Sequence, residues 1–414
     1  MDRVILHCDL NNFYASVECL YHPEFREFPV AVCGDTDQRH GIVLAKNQIA
    51  RSFGVKTGEV IYQAMDKCPK LITIRPNMAL YQKFSRLVND VYRRYSDRIQ
   101  PFSIDESWID LTHGVSSFAE GVQKAQEIRR TVREELGVTL SIGVSFNKIF
   151  AKLGSDLQKP DAVTPIPRER FQEIIWPLPC RELLYVGPVT EKKLLRVGIR
   201  TIGEIAQAGP AFLQSVLGKW GVTIYAFAMG LDDSPVHLDG AVDAAKSVGN
   251  STTTPRDIAT MEDARQVVYM LSDSVAQRLR QKSMVGKLVQ ISLKDTGLCV
   301  IERQASLMEP TCACSPIADL AMELVEQNWS CSTPLRAIGV RVADLSFLSS
   351  GRQATFSSPR LERQERLDHC IDSLRQRFGQ SCVARGVLLM DPSLNISPIE
   401  DNTVHPTSFF KGVM

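Results

Sequence analysis

Along the first 165 residues the apolar positions fall into two kinds of run. Short apolar stretches at 4–8 (Val-Ile-Leu-His-Cys), 99–102, 108–111 and 139–144 predict strands, and longer stretches at 81–95 and 118–136 predict helices. The order strand, helix, hairpin, helix, strand is the ferredoxin-like plan, which sets the end of the first strand beside the hairpin. Residues 11–77 hold an insertion with its own strands at 30–33 and 42–45 and helices around Ala50 and Ala64. After Pro165 and Pro167 the pattern changes to short helices punctuated by glycine. There Val186-Gly187-Pro188-Val189-Thr190 precedes 191–196, and Val197-Gly198-Ile199 leads to a second helix after Thr201, which predicts two helices joined by a glycine hairpin. Glycine at such a hairpin lets backbone N–H groups approach a phosphate, with Thr190 or Thr201 capping the following helix; glycines that merely end helices fit the spacing equally well. The stretch from Asp232 to Gly240 reads as a linker, and 246–347 as a mixed domain with strands at 288–293 and 338–345 and helices at 263–281 and 316–328. The tail is polar, then helical over 358–378, then irregular to Met414. The pattern is that of an α+β multidomain chain.

Composition narrows this picture. A chain of 414 residues is expected to fold as two or more domains, because single cores rarely grow past about 250–300 residues. The net charge of +1 carries no general polyanion signal, so any nucleic-acid surface must come from local clustering of Lys and Arg. Eleven scattered cysteines with no CxxC pair, and only Cys312 and Cys314 as a CxC, fit reduced thiols rather than a zinc site or a disulfide framework. No apolar run reaches the roughly 18 residues of a membrane span, and Asp2 and Arg3 are not followed by a secretory signal. A soluble intracellular protein is expected.

The candidate chemistry starts at Ser103-Ile104-Asp105-Glu106-Ser107, two adjacent carboxylates between strand-like runs. Alone, the pair reads as a solvated turn. Asp9, at the end of the first strand, changes this: three carboxylates converging on one place form a hard oxygen cage suited to two Mg2+ ions about 3.5–4 Å apart, the arrangement used for phosphoryl transfer.

Further motifs carry a resemblance. Asp9 with Phe13-Tyr14-Ala15-Ser16-Val17-Glu18, Ser103-Ile104-Asp105-Glu106, Ser145-Phe146-Asn147-Lys148 with Ala151-Lys152, and Lys159-Pro160 resemble the Y-family, translesion DNA polymerases of the DNA polymerase IV type. Ala50-Arg51, Phe53-Gly54-Val55, the hairpin at Gly187, Gly230-Leu231-Asp232 and Pro235-Val236 agree. The matches run in order through about 250 residues and more loosely to about 390. The resemblance implies a right-hand polymerase with a ferredoxin-like palm (1–10 and 78–165), small fingers (11–77), a helix-hairpin-helix thumb (166–233), a linker (234–245), an α/β little finger (246–347) and a C-terminal tail with a helix (348–414).

It also implies roles. Asp9 and Asp105 would bridge two Mg2+ ions, the Leu10 carbonyl would complete the nucleotide-side ion, and Glu106 would hold the ion near the primer terminus. Tyr14 stands at the steric-gate position, with Phe13 stacked behind it and backbone N–H groups of Asn11, Asn12 and Phe13 on phosphates; otherwise Phe13 and Tyr14 are plain core and boundary residues. Arg51 and Lys159 would clamp the triphosphate. Gln48 replaces a tyrosine that many members carry, with Lys46 either compensating or simply solvated. Ile42 and Leu44 would roof the nascent base pair, restricting bulky lesions, or only pack a core. Lys148 and Lys152, four apart on a predicted helix, would face DNA and nucleotide phosphates or form a solvated basic face. Gly187, Val189 and Gly198 would lie on the DNA backbone. Gln353 and Phe356 stand at a sliding-clamp peptide position, though Ala354 and Ser357 replace its expected bulk. The implied partners are primer–template DNA, deoxynucleoside triphosphates and a sliding clamp, for a monomer in the cytoplasm at the nucleoid. Two other readings remain open: a palm-type nucleotide cyclase, and a catalytically inactive DNA-binding repair accessory protein. The ending His405-Pro406-Thr407-Ser408-Phe409-Phe410 has no reading.

Overall fold

All six residues of the strand Ile5–Leu10 (β1) are buried, and the first part of the molecule is built around it. The computed structural model describes residues 2–35, 39, 41–240, 245–348 and 358–394. They divide into two compact units, one from 2–34 and 42–240, the other mostly from 245–348 and 358–394. In the first unit β1 is followed by α1 (Phe13–Tyr21), β2 (Val30–Cys33), β3 (Val43–Lys46), α2 (Gln48–Ser52), α3 (Ile61–Lys67), β4 (Ile72–Ile74), α4 (Met78–Tyr92), β5 (Ile99–Pro101) and β6 (Glu106–Asp110). Then come α5 (Phe118–Leu136), β7 (Leu140–Ser145), α6 (Lys148–Leu157), β8 (Val163–Ile166), α7 (Phe171–Ile175), α8 (Pro188–Arg196), α9 (Ile202–Ala208), α10 (Pro210–Leu217) and α11 (Lys219–Ala228).

The main sheet has the order β5-β6-β1-β7-β8. Its first four strands pair antiparallel, as the ferredoxin-like plan requires, and β8 joins β7 in parallel. Two boundaries differ from the sequence pattern in a way that shapes the site. β1 runs on through Asp9 and Leu10, which pair with Glu106 and Leu140, and β6 begins at Glu106. The two acids therefore divide: Asp105 ends the turn and Glu106 opens the ladder. The inserted sheet, β3-β2-β4, contains the expected strands plus β4, too short to register as a period. α5 spans the residues anticipated for it, capped by the Ser117 side chain and ended by Gly137 in the left-handed region (φ 72°).

In the thumb-like helices Gly187 is the N-cap of α8, so Thr190 lies inside that helix and caps nothing. Thr201 does cap α9, in a reciprocal box with Glu204. Gly198 has φ 84°, and the following N–H, of Ile199, closes back on the Leu194 carbonyl at 3.0 Å, so it also serves as the ordinary end of α8. The described part of the expected linker packs on this unit: Val236 is fully buried and Asp239 receives Arg93 Nε at 2.5 Å.

The second unit comprises β9 (Ser247–Ile258), α12 (Met261–Gln281), β10 (Met284–Asp295), β11 (Val300–Thr311), α13 (Cys314–Asn328), β12 (Leu335–Phe347) and α14 (Ser358–Phe378). Its antiparallel sheet has the order β11-β10-β12-β9. The core joins Val268, Leu271 and Val275 of α12 and Ile317 and Val325 of α13 to Val289, Ile291, Ile338 and Val340 of the two central strands. Patterning found those two strands and missed β9 and β11 at the edges. After α14 the described chain makes short 3-10 turns at Gln380–Cys382, Gly386–Leu389 and Pro392–Leu394. No described helix is long and apolar enough to cross a membrane.

Candidate active site

The register of the main sheet sets Asp9 opposite Glu106 on one side and Ser141 on the other, and the Leu10 N–H donates to the Asp105 carbonyl at 3.0 Å. The backbones of the three acids are thus brought to one end of β1. Helix α6 supplies countercharge from above. Gly143 on β7 makes this approach possible, since a Cβ there would sit 1.9 Å from the Ala151 carbonyl oxygen and 2.5 Å from the Ser155 nitrogen. Lys152 Nζ consequently reaches Asp9 Oδ2 at 3.2 Å, Glu106 Oε1 at 2.9 Å and Asp156 Oδ2 at 3.1 Å. Lys159 Nζ lies 2.7 Å from both Asp9 Oδ2 and Asp156 Oδ1.

This packing sets the proton affinities. Burial opposes the Asp9 charge, yet Lys152, a hydrogen bond with Glu106 and Lys159 outweigh it and hold the carboxyl below its ordinary value. Glu106 moves up, through burial first and then the Asp9 charge, against the pull of Lys152. Asp105 also moves up, from burial and from Asp9, although Ser103 donates a hydrogen bond to it. Both lysines are raised: burial disfavours their charge, and Glu106, Asp9 and Asp156 for Lys152, or Asp9 and Asp156 for Lys159, more than offset it. Among the described residues no three ligating side chains close on a single point; here the two ammonium groups neutralise the carboxylates. The donor set fits Mg2+: hard oxygens, buried, with Asp105 and Glu106 in like-charge stress that a cation relieves.

Tyr14 borders this cluster closely enough for Asp105 to raise its hydroxyl pKa, second to burial. Its ring stacks on Tyr81, centroids 4.3 Å apart and planes 12° from parallel. Phe13 is not the backing ring anticipated for it; it is buried in the core and tilted 47° to Tyr14. Tyr81 is itself fully buried and donates its hydroxyl hydrogen to buried Glu18. The phosphate-binding role anticipated for the Asn11 N–H also needs correction, because that group donates to the Thr139 carbonyl at 2.9 Å. The Asn11 side chain instead donates to Ser141 Oγ at 2.9 Å and accepts from the Asp161 N–H at 2.8 Å, pinning the loop that carries Lys159. Asn12 is in the left-handed region (φ 51°) and starts α1, so the first helical N–H groups, Phe13 and Tyr14, remain without intrahelical partners.

On the inserted sheet Val43 faces the core, while Ile42 is exposed and Leu44 half-buried, so neither flanking residue is a core-packing residue. Gln48 and Arg51 are exposed on α2, and Lys46 donates to Thr57 Oγ1 at 3.0 Å.

One expectation fails for α6. Lys148 does not face DNA: it is 1 % exposed, donates to Gln100 Oε1 at 2.6 Å and lies 5.4 Å from the centre of the Trp108 ring. Its burial lowers the pKa to about 8. Lys152 shares the face anticipated for it, but that face turns inward onto the acids. At the other helices Gly187, Val189 and Gly198 are all exposed, and a Cβ at either glycine would meet nothing within 4 Å. Gln353 and Phe356, like His405–Phe410, lie outside the described residues. Sequence reasoning missed Asp156, Tyr81 and Asn11 as a loop anchor; only Asp156 had a signal, standing four residues after Lys152 and three before Lys159.

Two family models match the chain, that of the impB/mucB/samB family over residues 8–156 and that of its C-terminal domain over 245–358. DNA polymerase IV of Acetivibrio thermocellus is 50% identical over 95% of this chain and 100% of its own length. That of Clostridium kluyveri is 34% identical over 94% and 99%, and DNA polymerase IV 1 of Bacillus subtilis 34% identical over 94% and 93%. Among solved structures, a Y-family DNA polymerase chimera of Dbh and Dpo4 superposes with a TM-score of 0.73 over 83% of this chain and 99% of its own, at 24% identity. A palm-type sheet carrying its acids at the end of the central strand, two matching family models and relatives aligned over nearly the whole length lead to one conclusion: the chain belongs to the impB/mucB/samB family, of the DNA polymerase IV type.

Proposed function

We propose that the chain is a template-directed DNA polymerase that adds deoxynucleotides to a primer 3′-hydroxyl by two-metal-ion phosphoryl transfer, in translesion synthesis. The observation that carries the reading is the backbone register that brings Asp9, Asp105 and Glu106 to one end of β1, with Lys159 paired to Asp9 and Tyr14 beside Asp105. Asp9 and Asp105, with the Leu10 carbonyl, would hold one Mg2+, and Glu106 would share the second. Bound there, the ions supply Lewis-acid charge to the transferring phosphate and lower the pKa of the 3′-hydroxyl. The chain's own part is positioning. Lys159, which pairs with Asp9, would supply a point charge to the triphosphate. Arg51 adds a bidentate donor and Gln48 an amide, with Lys46 on the same segment. The N–H groups that open α1 offer further donors, and Tyr14, backed by Tyr81, supplies the flat surface that a 2′-hydroxyl would strike. Gly187, Val189 and Gly198 present an open backbone to DNA phosphates.

Primer extension with Mg2+ tests this. Asp105→Ala should abolish extension while the chain still binds primer–template; persistent extension would refute the assignment. Product formation without primer would favour a cyclase-like reaction instead.

A further inference from the structure

Helix α14 begins where the match to the C-terminal family model ends, at residue 358, and its charges are sorted between two faces. The inward face is acidic. Glu365 and Asp368 are buried against the loop that opens α13, where they accept the Cys312 and Cys314 N–H groups at 3.3 and 2.7 Å. Asp372 accepts from Arg280 of α12 at 2.6 Å. Of the arginines on α14 only Arg375 is buried, and it reaches Asp273 of α12 at 2.7 Å. The outward face is the reverse. Arg360, Arg363, Arg366 and Arg377 are exposed, and among the described residues none of them is paired with a carboxylate, not even Arg366 with exposed Glu362 one turn before it. At 3.6 residues per turn Arg363, Arg366 and Arg377 lie on the side of the helix away from Glu365, Asp368 and Asp372. From Arg363 to Arg377 the row runs about 21 Å, the rise of roughly six base pairs.

A helix that needs only to be solvated mixes both signs on its outer face, where acid–base pairs four apart support it. Here the acids are taken up inside, so four like charges stand together and repel one another until an anion meets them. We propose that the outer face of α14 is a second DNA-binding surface, which takes the phosphate backbone of duplex DNA on Arg363, Arg366 and Arg377, with Arg360 at its start. The proposal rests on the reading of the chain as one that works on DNA, and adds a contact in a segment that the matched family models do not cover. Each member of the row is an arginine, and no lysine occurs from 358 to 394. The planar fork of arginine takes two phosphate oxygens at once, which an ammonium does not. The buried pairs beneath the helix hold the row in place, so little ordering is left to be done on contact. An acidic protein is the poorer fit. Between Arg366 and Arg377 the outward positions are Cys370 and Ser373, which offer no apolar anchor of the kind on which protein interfaces are centred. Exposed Leu367 and Phe378 lie along one margin, and the Arg377 guanidinium covers the Phe378 ring, 5.1 Å from its centre.

Two measurements on the full chain test this, with blunt duplex DNA as the probe. The first is fluorescence anisotropy of the labelled duplex between 50 and 200 mM salt, the range in which such slopes are resolved. Arg363→Gln, Arg366→Gln and Arg377→Gln combined in one chain should weaken binding and flatten the log–log salt slope by roughly two to three. All three side chains are exposed and unpaired, so urea unfolding of the variant should match wild type. The second measurement reads position. Cys370 is exposed in the middle of the row, so saturating duplex should slow its alkylation by iodoacetamide several-fold, followed by mass spectrometry of the peptide that carries it. In the triple variant Cys370 should react at its DNA-free rate whether or not duplex is present. Alkylation of wild-type Cys370 that duplex does not slow, or a variant slope equal to that of wild type, would overturn the inference and leave the polymerase reading intact. Protection of Cys370 by polyglutamate as strong as that by duplex would assign the face to an acidic protein and overturn it as well. A wild-type chain that binds no DNA would defeat the polymerase reading and this inference together.

Discussion

Tyr14 owes its orientation to a residue 67 positions away, because the ring that lies flat against it is Tyr81, whose hydroxyl is tied to Glu18 one helical turn beyond Tyr14. A flat, backed ring is what steric exclusion of a sugar hydroxyl needs. Tyr14→Ala should therefore raise ribonucleotide incorporation relative to deoxynucleotide, measured as a ratio of kcat/KM values, and Tyr81→Ala should do so more weakly by letting the ring tilt. An unchanged ratio in Tyr14→Ala would remove the gate. Lys148 makes a second residue-scale prediction. Its pKa is lowered from 10.5 to about 8, chiefly by burial, so between those pH values the unfolded chain binds a proton that the folded chain does not. Stability then rises with pH across that window, by about 3 kcal/mol at most. Urea unfolding at pH 7 and pH 10 should show wild type gaining on Lys148→Met by a sizeable part of that amount; a constant difference would mean that the buried ammonium carries no penalty. The three acids were legible in the sequence because a strand end and a hairpin have a known spatial relation. Lys148 and Lys152 were not, because a spacing of four places two side chains on one face without saying whether that face meets water or the sheet. That depends on Gly143, which draws α6 down onto β1 and β7.

At the scale of elements, α14 shows how much a polar sequence can hide. It reads as a helix in a polar tail, and its helical span was legible from the pattern, yet in the second unit much of its charge is spent inward. Arg280 of α12 donates to Asp372 at 2.6 and 2.9 Å and lies 3.4 Å from Asp368. Arg375 reaches Asp273 at 2.7 Å, Arg385 reaches Asp368 at 2.6 Å, and Thr311 donates to Glu365 at 2.8 Å. Such pairs need not stabilise relative to an apolar contact, but removing one partner leaves a buried charge unanswered. Arg280→Ala should cost roughly 3–5 kcal/mol in denaturant unfolding of the second unit, whereas an exposed pair such as Arg94–Glu135 should cost less than about 1 kcal/mol when broken. Equal small effects would mean that water reaches the cluster. The edge strands escaped detection for a related reason. β11 (Val-Ile-Glu-Arg-Gln-Ala-Ser-Leu-Met-Glu-Pro-Thr) is largely exposed along its length and β9 is rich in Ser and Thr, so neither shows the apolar alternation that a half-buried central strand imposes. β8 was obscured by Pro165, tolerated at the outer edge of its sheet.

For the molecule as a whole, a net charge of +1 sits uneasily with a polyanionic substrate unless the positive charges are unevenly used. They are. On the sheet side of the first unit Arg93, Arg94, Lys124 and Arg129 are matched to Asp239 and Asp90, Glu135, Glu127 and Asp161, and Lys152 and Lys159 are consumed by the acids. Around the glycine hairpin, Lys192, Lys193, Arg196 and Arg200 are exposed on or beside α8, next to the open backbone at Gly187 and Gly198. Backbone phosphates meeting such a surface release condensed counterions, and each neutralised phosphate steepens the fall of affinity with salt by close to one unit of log–log slope. Replacing Lys192 and Lys193 together by Gln should therefore weaken primer–template binding at moderate salt and flatten that slope by about one to two. The loss should be the same for every template sequence, because phosphates carry no sequence information. Extension at saturating DNA should be unaffected, since the lysines paired with the acids at the end of β1 are Lys152 and Lys159. Fluorescence anisotropy of labelled primer–template between 50 and 200 mM salt, the range over which such slopes are resolved, measures the first effect, and single-turnover extension measures the second. A slope equal to that of wild type would place the DNA contacts of this chain elsewhere than the hairpin.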